Sequence, residues 1–255
     1  MIETHELTRL FDDKVAVDNL TIRVEPGEIL GFLGPNGAGK TTTVKMLTGM
    51  IRPTRGRATI AGFDVVTDAI NVKRRIGYVP ESGAMYESLT AAEHLELIAC
   101  LYHLDPSTAR SRTAEVLEMF SLDDVRHQRM SQFSKGMKQK VLIASALIPN
   151  PEVLFLDEAL NGLDANAALI VKHLLRKLAD QGKTIFFCSH ILEVVERICT
   201  RIIIINGGRQ IIDGTAAEIR QATGTHSLEE AFSQLTGVRD VGELTGDFLA
   251  ALEED

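Results

Sequence analysis

Short apolar runs alternate along this chain with longer stretches of helical period. EILGFL (Glu28–Leu33) is an apolar run of strand length that stops at a glycine-rich turn. KTTTVKMLTG follows it and predicts a helix ending near Gly49. RATIAG, RIGYVP, TIFFCS and RIIIIN are further strand-length runs, and EVLFLD (Glu152–Asp157) has the length and apolarity of a buried strand. Between the later runs, AALIVKHLLRKLADQG places Val171, Leu174, Leu175 and Leu178 on one helical face and stops at Gly182. Strands separated by helices predict an α/β fold, a mostly parallel sheet with helices on both faces.

One block breaks the alternation. From about Glu87 to Ile148 no run has strand character. Thr90 and Glu93 form a capping box that opens AAEHLELIACLYH. Asp105-Pro106 supplies a cap and a first-turn proline for a second helix, and a third starts near Ser134 and stops before PNP. The block reads as a helical lobe inserted into the α/β core. After Gly214 come two short helices, each with a capping box (Thr215/Glu218 and Ser227/Glu230).

Composition narrows the function classes. At roughly 150 residues per domain, a chain of 255 residues is one large domain or one domain with an inserted lobe. Apolar residues make up 45% and charged residues 24%, the balance of a globular protein. Lys and Arg number 27 against 35 Asp and Glu, a net charge of −8, which argues against a global grip on nucleic acid. Cys100, Cys188 and Cys199 form no C-x-x-C and read as reduced, mostly buried thiols of a cytosolic protein. The charged start MIETHELTRL lacks the apolar centre of a signal peptide. The most apolar stretch, ILEVVERICTRIIIIN, is broken by charges well short of the ~20 residues a spanning helix needs. Work at a membrane would need another chain to span it.

The chemistry begins at GFLGPNGAGKTT, where Gly34, Gly39, Lys40 and Thr41 complete G-x-x-x-x-G-K-T between a strand and a helix. Glycines let backbone N–H groups converge on phosphates without side-chain collision, and the helix N-terminus adds its partial positive charge. In this pattern Lys40 neutralises the β- and γ-phosphate oxygens, Thr41 ligates Mg²⁺, and Thr42 can donate to the α-phosphate. The loop Gly34, Pro35, Asn36, Gly37, Ala38, Gly39 is thus the candidate nucleoside-triphosphate cradle. The acidic counterpart is the end of EVLFLDEA. Asp157 is placed to hold Mg²⁺, directly or through water, and Glu158 to polarise the attacking water.

With these motifs together, the chain resembles the ATP-binding subunits of ABC transporters over essentially its whole length. FSKGMKQKVLIASAL resembles the family's signature segment, with Ser134 and Gly136 at the two key positions, Lys135 in place of a glycine and Met137 in place of a glutamine. EALNGLD resembles the D-loop, ending at Asp164, with Ala159 where proline is usual. CSH places His190 as the switch histidine, bracing the γ-phosphate, and LTRLFDDKVAVDNL places Phe11 as the aromatic that stacks on adenine. GYVPES resembles the Q-loop, with Glu81 where glutamine is usual; a carboxylate there can ligate Mg²⁺ or hold water. Plainer readings stand beside these: Ser134 as a helix cap, His190 and Phe11 as core residues. The tail GTAAEIRQATGTHSLEEAFSQLTG resembles the ending of short subunits from export-type systems.

The resemblance implies a P-loop NTPase (RecA-like) core with an N-terminal antiparallel β portion. The core then spans 1–84 and 149–214, with the antiparallel portion within 1–64, the helical lobe 85–148 and the C-terminal tail 215–255. It implies ATP hydrolysis with Mg²⁺ and catalytic roles for Glu158, His190 and Lys40. It also implies that two chains, this one with itself or with a paralogue, sandwich ATP head to tail, since P-loop and signature serve different sites. The partner is an integral membrane transporter subunit, and the chain sits peripherally on the cytoplasmic face through it. An ATPase acting on ribosomes or DNA fits less well with the charge of −8. A GTPase lacks its N-K-x-D motif here.

Overall fold

The computed structural model describes residues 1–81, 83 and 85–237. The end of the predicted tail, from 238 on, and Ser82 and Ala84 lie outside the described residues. Strands are β1 (Ile2–Phe11), β2 (Lys14–Leu20), β3 (Arg23–Val24), β4 (Ile29–Leu33), β5 (Arg55–Ile60), β6 (Phe63–Asp64), β7 (Ile76–Val79), β8 (Val153–Asp157), β9 (Thr184–Cys188), β10 (Arg201–Asn206) and β11 (Arg209–Gly214). Helices are α1 (Lys40–Leu47), α2 (Ala69–Arg75), α3 (Ala91–Leu101), α4 (Pro106–Met119), α5 (Lys135–Leu147), α6 (Ala165–Asp180), α7 (Leu192–Ile198), α8 (Ala216–Thr223) and α9 (Leu228–Thr236).

Six strands form the central sheet in the order β11-β10-β4-β9-β8-β7. All neighbours are parallel except the hairpin β10–β11. Every residue of β4, β8 and β9 is buried, which is why these runs are continuously apolar instead of alternating. The pleat still sorts them by face. Leu154, Leu156, Ile185 and Phe187 point into one core, and Val153, Phe155, Phe186 and Cys188 into the other.

The first core is closed by the lobe, by α6 and α7 and by the tail, through Leu95, Leu117, Val171, Leu175 and Leu228. The second is closed by α1 and α2 together with a separate antiparallel sheet, β2-β1-β5-β6, in which β3 also pairs with β1. The expectation of helices on both faces therefore holds fully on one side only. RATIAG, read as one more strand of the alternation, lies in that antiparallel sheet as β5, opposite β1. The β10–β11 hairpin turns through Gly207 and Gly208, both at positive φ, a two-residue turn that Asn-Gly-Gly signals and that apolar periodicity does not.

Between β7 and β8 the described residues hold three α-helices and two 3₁₀ turns, with one isolated bridge, Thr90 to Arg129. Thr90 and Glu93 close their capping box. Asp105 accepts from the N–H groups of Ser107 and Thr108, both at 3.0 Å. In the tail the Thr215/Glu218 box also closes. The second box does not: Ser227 accepts from the Glu230 N–H, but the Glu230 carboxylate takes the N–H of His226, one residue early. Cys188 is buried, Cys199 half-buried and Cys100 exposed, so one of the three thiols departs from the buried reading.

Candidate active site

β4 delivers the chain into the loop Gly34–Gly39, and α1 starts at Lys40. Gly39 has φ 108°, and a Cβ there would meet the Ala16 carbonyl at 2.4 Å, so the backbone passes β2 too closely for any side chain. Lys40 folds over its own loop, donating to the carbonyls of Gly34 at 2.6 Å and Pro35 at 3.2 Å. Four chain segments line the adjoining cavity of about 400 Å³: Phe11, Lys14 and Ala16 from the β1–β2 hairpin, Asn36, Gly37 and Gly39 to Thr42 from the loop and helix, Glu81 after β7, and Asp157 and Glu158 at the end of β8. Lys14 and Ala16 lie in the same segment as Phe11, but only the hairpin shows that they face the phosphate loop.

The acidic wall of the cavity has a specific electrostatic state. Asp157 is the last residue of β8 and 1% exposed. Burial pushes its carboxyl pKa up, a hydrogen bond with the Thr41 hydroxyl opposes this, and Glu81 and Glu158 push it up further. Its Oδ2 is buried with no hydrogen-bond partner. A buried carboxylate oxygen left without a donor, beside the Thr41 hydroxyl, offers hard oxygen ligands of the kind Mg²⁺ takes.

Glu158 sits in the left-handed region at φ 55°, which a glutamate enters only when its surroundings force it. Its N–H donates to the Cys188 carbonyl at 3.0 Å, which ties the turn to β9. Its Oε2 lies 2.7 Å from His190 Nδ1 and accepts from Asn161 Nδ2 at 3.4 Å. The His190 side chain is 65% exposed, so it is not a core histidine.

The signature segment lies elsewhere. Ser134 caps α5, accepting from the Met137 N–H at 3.2 Å. Gln139, buried inside α5, donates to the Ala159 carbonyl at 2.8 Å and fastens the signature helix to the segment after β8. A Cβ on Gly136 would stand 2.7 Å from the Gly162 carbonyl, so a glycine is required where the two segments touch. Asp164 caps α6 and pairs with Lys140 at 2.8 Å, and both contacts hold its carboxyl below the usual range. Ser134, Gly136 and Asp164 do not line the phosphate-loop cavity, and neither does His190.

The model of the ABC transporter family matches residues 17–161. The chain belongs to the ABC transporter family. It is 39% identical over 92% of its length to the daunorubicin resistance ATP-binding protein DrrA3 of Streptomyces coeruleorubidus, covering 72% of that protein. It is 36% identical over 91% of its length to the ABC transporter ATP-binding protein NatA of Bacillus subtilis, covering 96% of that one. A solved structure of the ATP-binding subunit of an ABC transporter superposes with a TM-score of 0.88 at 33% identity, over 92% of this chain and 99% of the other. The ATP-binding cassette MJ0796, solved as a dimer in a post-hydrolysis state with ADP and Pi, gives 0.78 at 26% identity, over 84% and 98%. As an ABC ATP-binding subunit, this protein binds ATP with Mg²⁺ and hydrolyses it to power a transporter. No helix among its described residues is long and apolar enough to cross a membrane.

Proposed function

We propose that two copies of this chain, or this chain and a paralogue, close head to tail over two ATP molecules, each site shared between cavity and signature. The supporting observation is the separation just described. Lys40, Thr41, Thr42, Asp157 and Glu158 line one cavity, while Ser134, Gly136 and Asp164 are gathered on a surface that does not reach it. Each chain then carries two unlike half-sites. The post-hydrolysis dimer of the cassette MJ0796 lends the arrangement support.

In this reading Phe11 receives the adenine, the Gly34–Thr42 segment the phosphates, and Thr41 and Asp157, with Glu81 nearby, hold Mg²⁺. The ion, when bound, supplies charge that neutralises the β/γ oxygens. Water attacks the γ-phosphorus in line and the bond to the β-bridging oxygen breaks. Glu158 takes the water's proton, and His190, bonded to its Oε2, orients it. Lys40 leaves the loop carbonyls for the phosphate oxygens, exchanging neutral acceptors for charged ones.

The membrane partner docks in the groove between lobe and core. Its walls hold Met50, Tyr78, Ile98, Tyr102 and Ala146, continuing past Leu142 to Glu81. The relative named for Nod factor export supports an export role, with the chain on the cytoplasmic face through its membrane partner.

The shared site is tested by mixing Lys40→Ala with Ser134→Arg. Each variant alone is inactive. A mixed dimer has one site free of both lesions, so random mixing restores up to about a quarter of wild-type ATPase. Zero recovery alongside confirmed mixed dimers, or loss of nucleotide binding by the Ser134→Arg monomer, removes the reading.

A further inference from the structure

Arg9 precedes Phe11 by two residues on β1, so their side chains share one face of the strand. The Arg9 guanidinium carbon stands 4.4 Å from the centre of the Phe11 ring, stacked on one face. Phe11 is 44% exposed and lines the phosphate-loop cavity. The face left for an incoming base is therefore the one opposite Arg9.

Arg9 is not explained as a surface ion-pair former, since no carboxylate among the described residues pairs with it. Its Nε is buried without a hydrogen-bond partner. Its Nη1 donates to the Arg52 carbonyl at 3.0 Å. That carbonyl belongs to the segment leaving the phosphate-loop helix, where the Met50 N–H returns to the Lys45 carbonyl at 2.9 Å. The same segment is bonded to β1 twice more. Thr54 N–H donates to the Thr8 carbonyl at 2.8 Å, and Leu10 N–H to the Thr54 hydroxyl at 3.1 Å. One guanidinium thus braces the aromatic ring and ties its strand to the exit of the phosphate-loop helix.

We infer that Arg9 is a positioning residue for adenine. It fixes the orientation of the Phe11 ring and the distance between ring and phosphate loop. As a cation on the far face, it also draws ring electron density away from the face that meets the electron-rich purine. The inference rests on Phe11 being the adenine platform.

The test measures Mg²⁺-dependent binding of ATP and of inorganic tripolyphosphate, which has phosphates but no base. The variants are Arg9→Met, Arg9→Lys, Phe11→Ala and the double variant Arg9→Met/Phe11→Ala. Arg9→Met keeps bulk and loses the cation. It is expected to weaken ATP binding about two- to five-fold, the size of an exposed cation–π contact. KM for ATP rises by the same factor with kcat held, tripolyphosphate binding is unchanged, and Arg9→Lys recovers part of the loss. In the Phe11→Ala background, Arg9→Met adds nothing. Wild-type ATP affinity in Arg9→Met overturns the inference, as does a parallel loss of tripolyphosphate binding, which marks a purely structural role. Additive losses in the double variant overturn it too. If Phe11→Ala itself leaves ATP affinity unchanged, the adenine platform falls first and the inference with it.

Discussion

Glu158 carries the sharpest demand on a single residue. Its backbone is held at φ 55° and its carboxylate is flanked by His190 and Asn161, so the side chain has little freedom to drift from the cavity wall. Glu158→Gln keeps the shape and removes the basicity. ATPase turnover is expected to fall about 10²–10⁴-fold, with ATP affinity retained and dimers accumulating in ATP. Sedimentation and a steady-state ATPase assay read both effects, and near-normal turnover excludes Glu158 as the base. The residue was legible from an acidic pair ending an apolar strand. Its bond to His190 was not, because 32 residues separate the two and only the pairing of β8 with β9 brings them together.

At the scale of elements, the helices of the lobe and tail are started by side chains that sequence patterns name well. Asp105 shows how such a cap responds to pH. Hydrogen bonds from the Ser107 and Thr108 side chains and N–H groups hold its carboxyl well below the usual carboxylate range. A depressed folded pKa contributes stability above the ordinary value of about 4, and that stability is lost as pH falls through the folded value. Asparagine caps about as well and does not ionise. The melting temperature of wild type should therefore exceed that of Asp105→Asn at neutral pH, with the gap shrinking below about pH 4. A gap that is constant with pH contradicts the assignment.

A second prediction concerns two elements in contact. Alanine at Gly136 suits a helix better than glycine, yet its Cβ would press on the Gly162 carbonyl at 2.7 Å. Overpacking costs about 1–3 kcal/mol, paid here by displacing the segment between β8 and α6. Gly136→Ala should lower kcat by about ten-fold or more and leave ATP binding by the isolated chain unchanged. Equal turnover in the two proteins would show that this contact has no catalytic consequence. Nothing in the local sequence around Gly136 announces the carbonyl of Gly162.

For the whole molecule the question is where the motor delivers its movement. Met85, Tyr86 and Leu89 are apolar residues between the Glu81 position and the first helix of the lobe, and they divide. Met85 and Leu89 pack against the lobe core, while Tyr86 is 67% exposed. Met50, on the wall of the groove between lobe and core, is 59% exposed. An apolar helix of the membrane partner meets these two in the proposed docking mode. The double variant Met50→Asp/Tyr86→Asp should reduce membrane recovery and transport on co-expression with the partner, with basal ATPase of the isolated chain held. Unchanged recovery and transport place the docking surface elsewhere.

The sequence by itself determined the identity of the ATP engine. Motifs such as Gly34–Thr42 and Asp157-Glu158 are local, and their chemistry depends on backbone torsion, helix dipole and residue type within a few positions. It also determined the central strands, because β4, β8 and β9 are buried on both faces and must be apolar throughout. Tertiary structure alone decided what those motifs meet. It brought Lys14 and Ala16 to the phosphate loop, set Arg9 against Phe11 with a hold on Arg52, and tied Gln139 to Ala159. It closed one sheet face with the antiparallel sheet that the family resemblance implied within 1–64 and that the alternation of strands and helices did not show. The reason is that these contacts are made by hairpin register, buried hydrogen bonds and close backbone approach between segments far apart in the chain, none of which leaves a periodic trace in either segment.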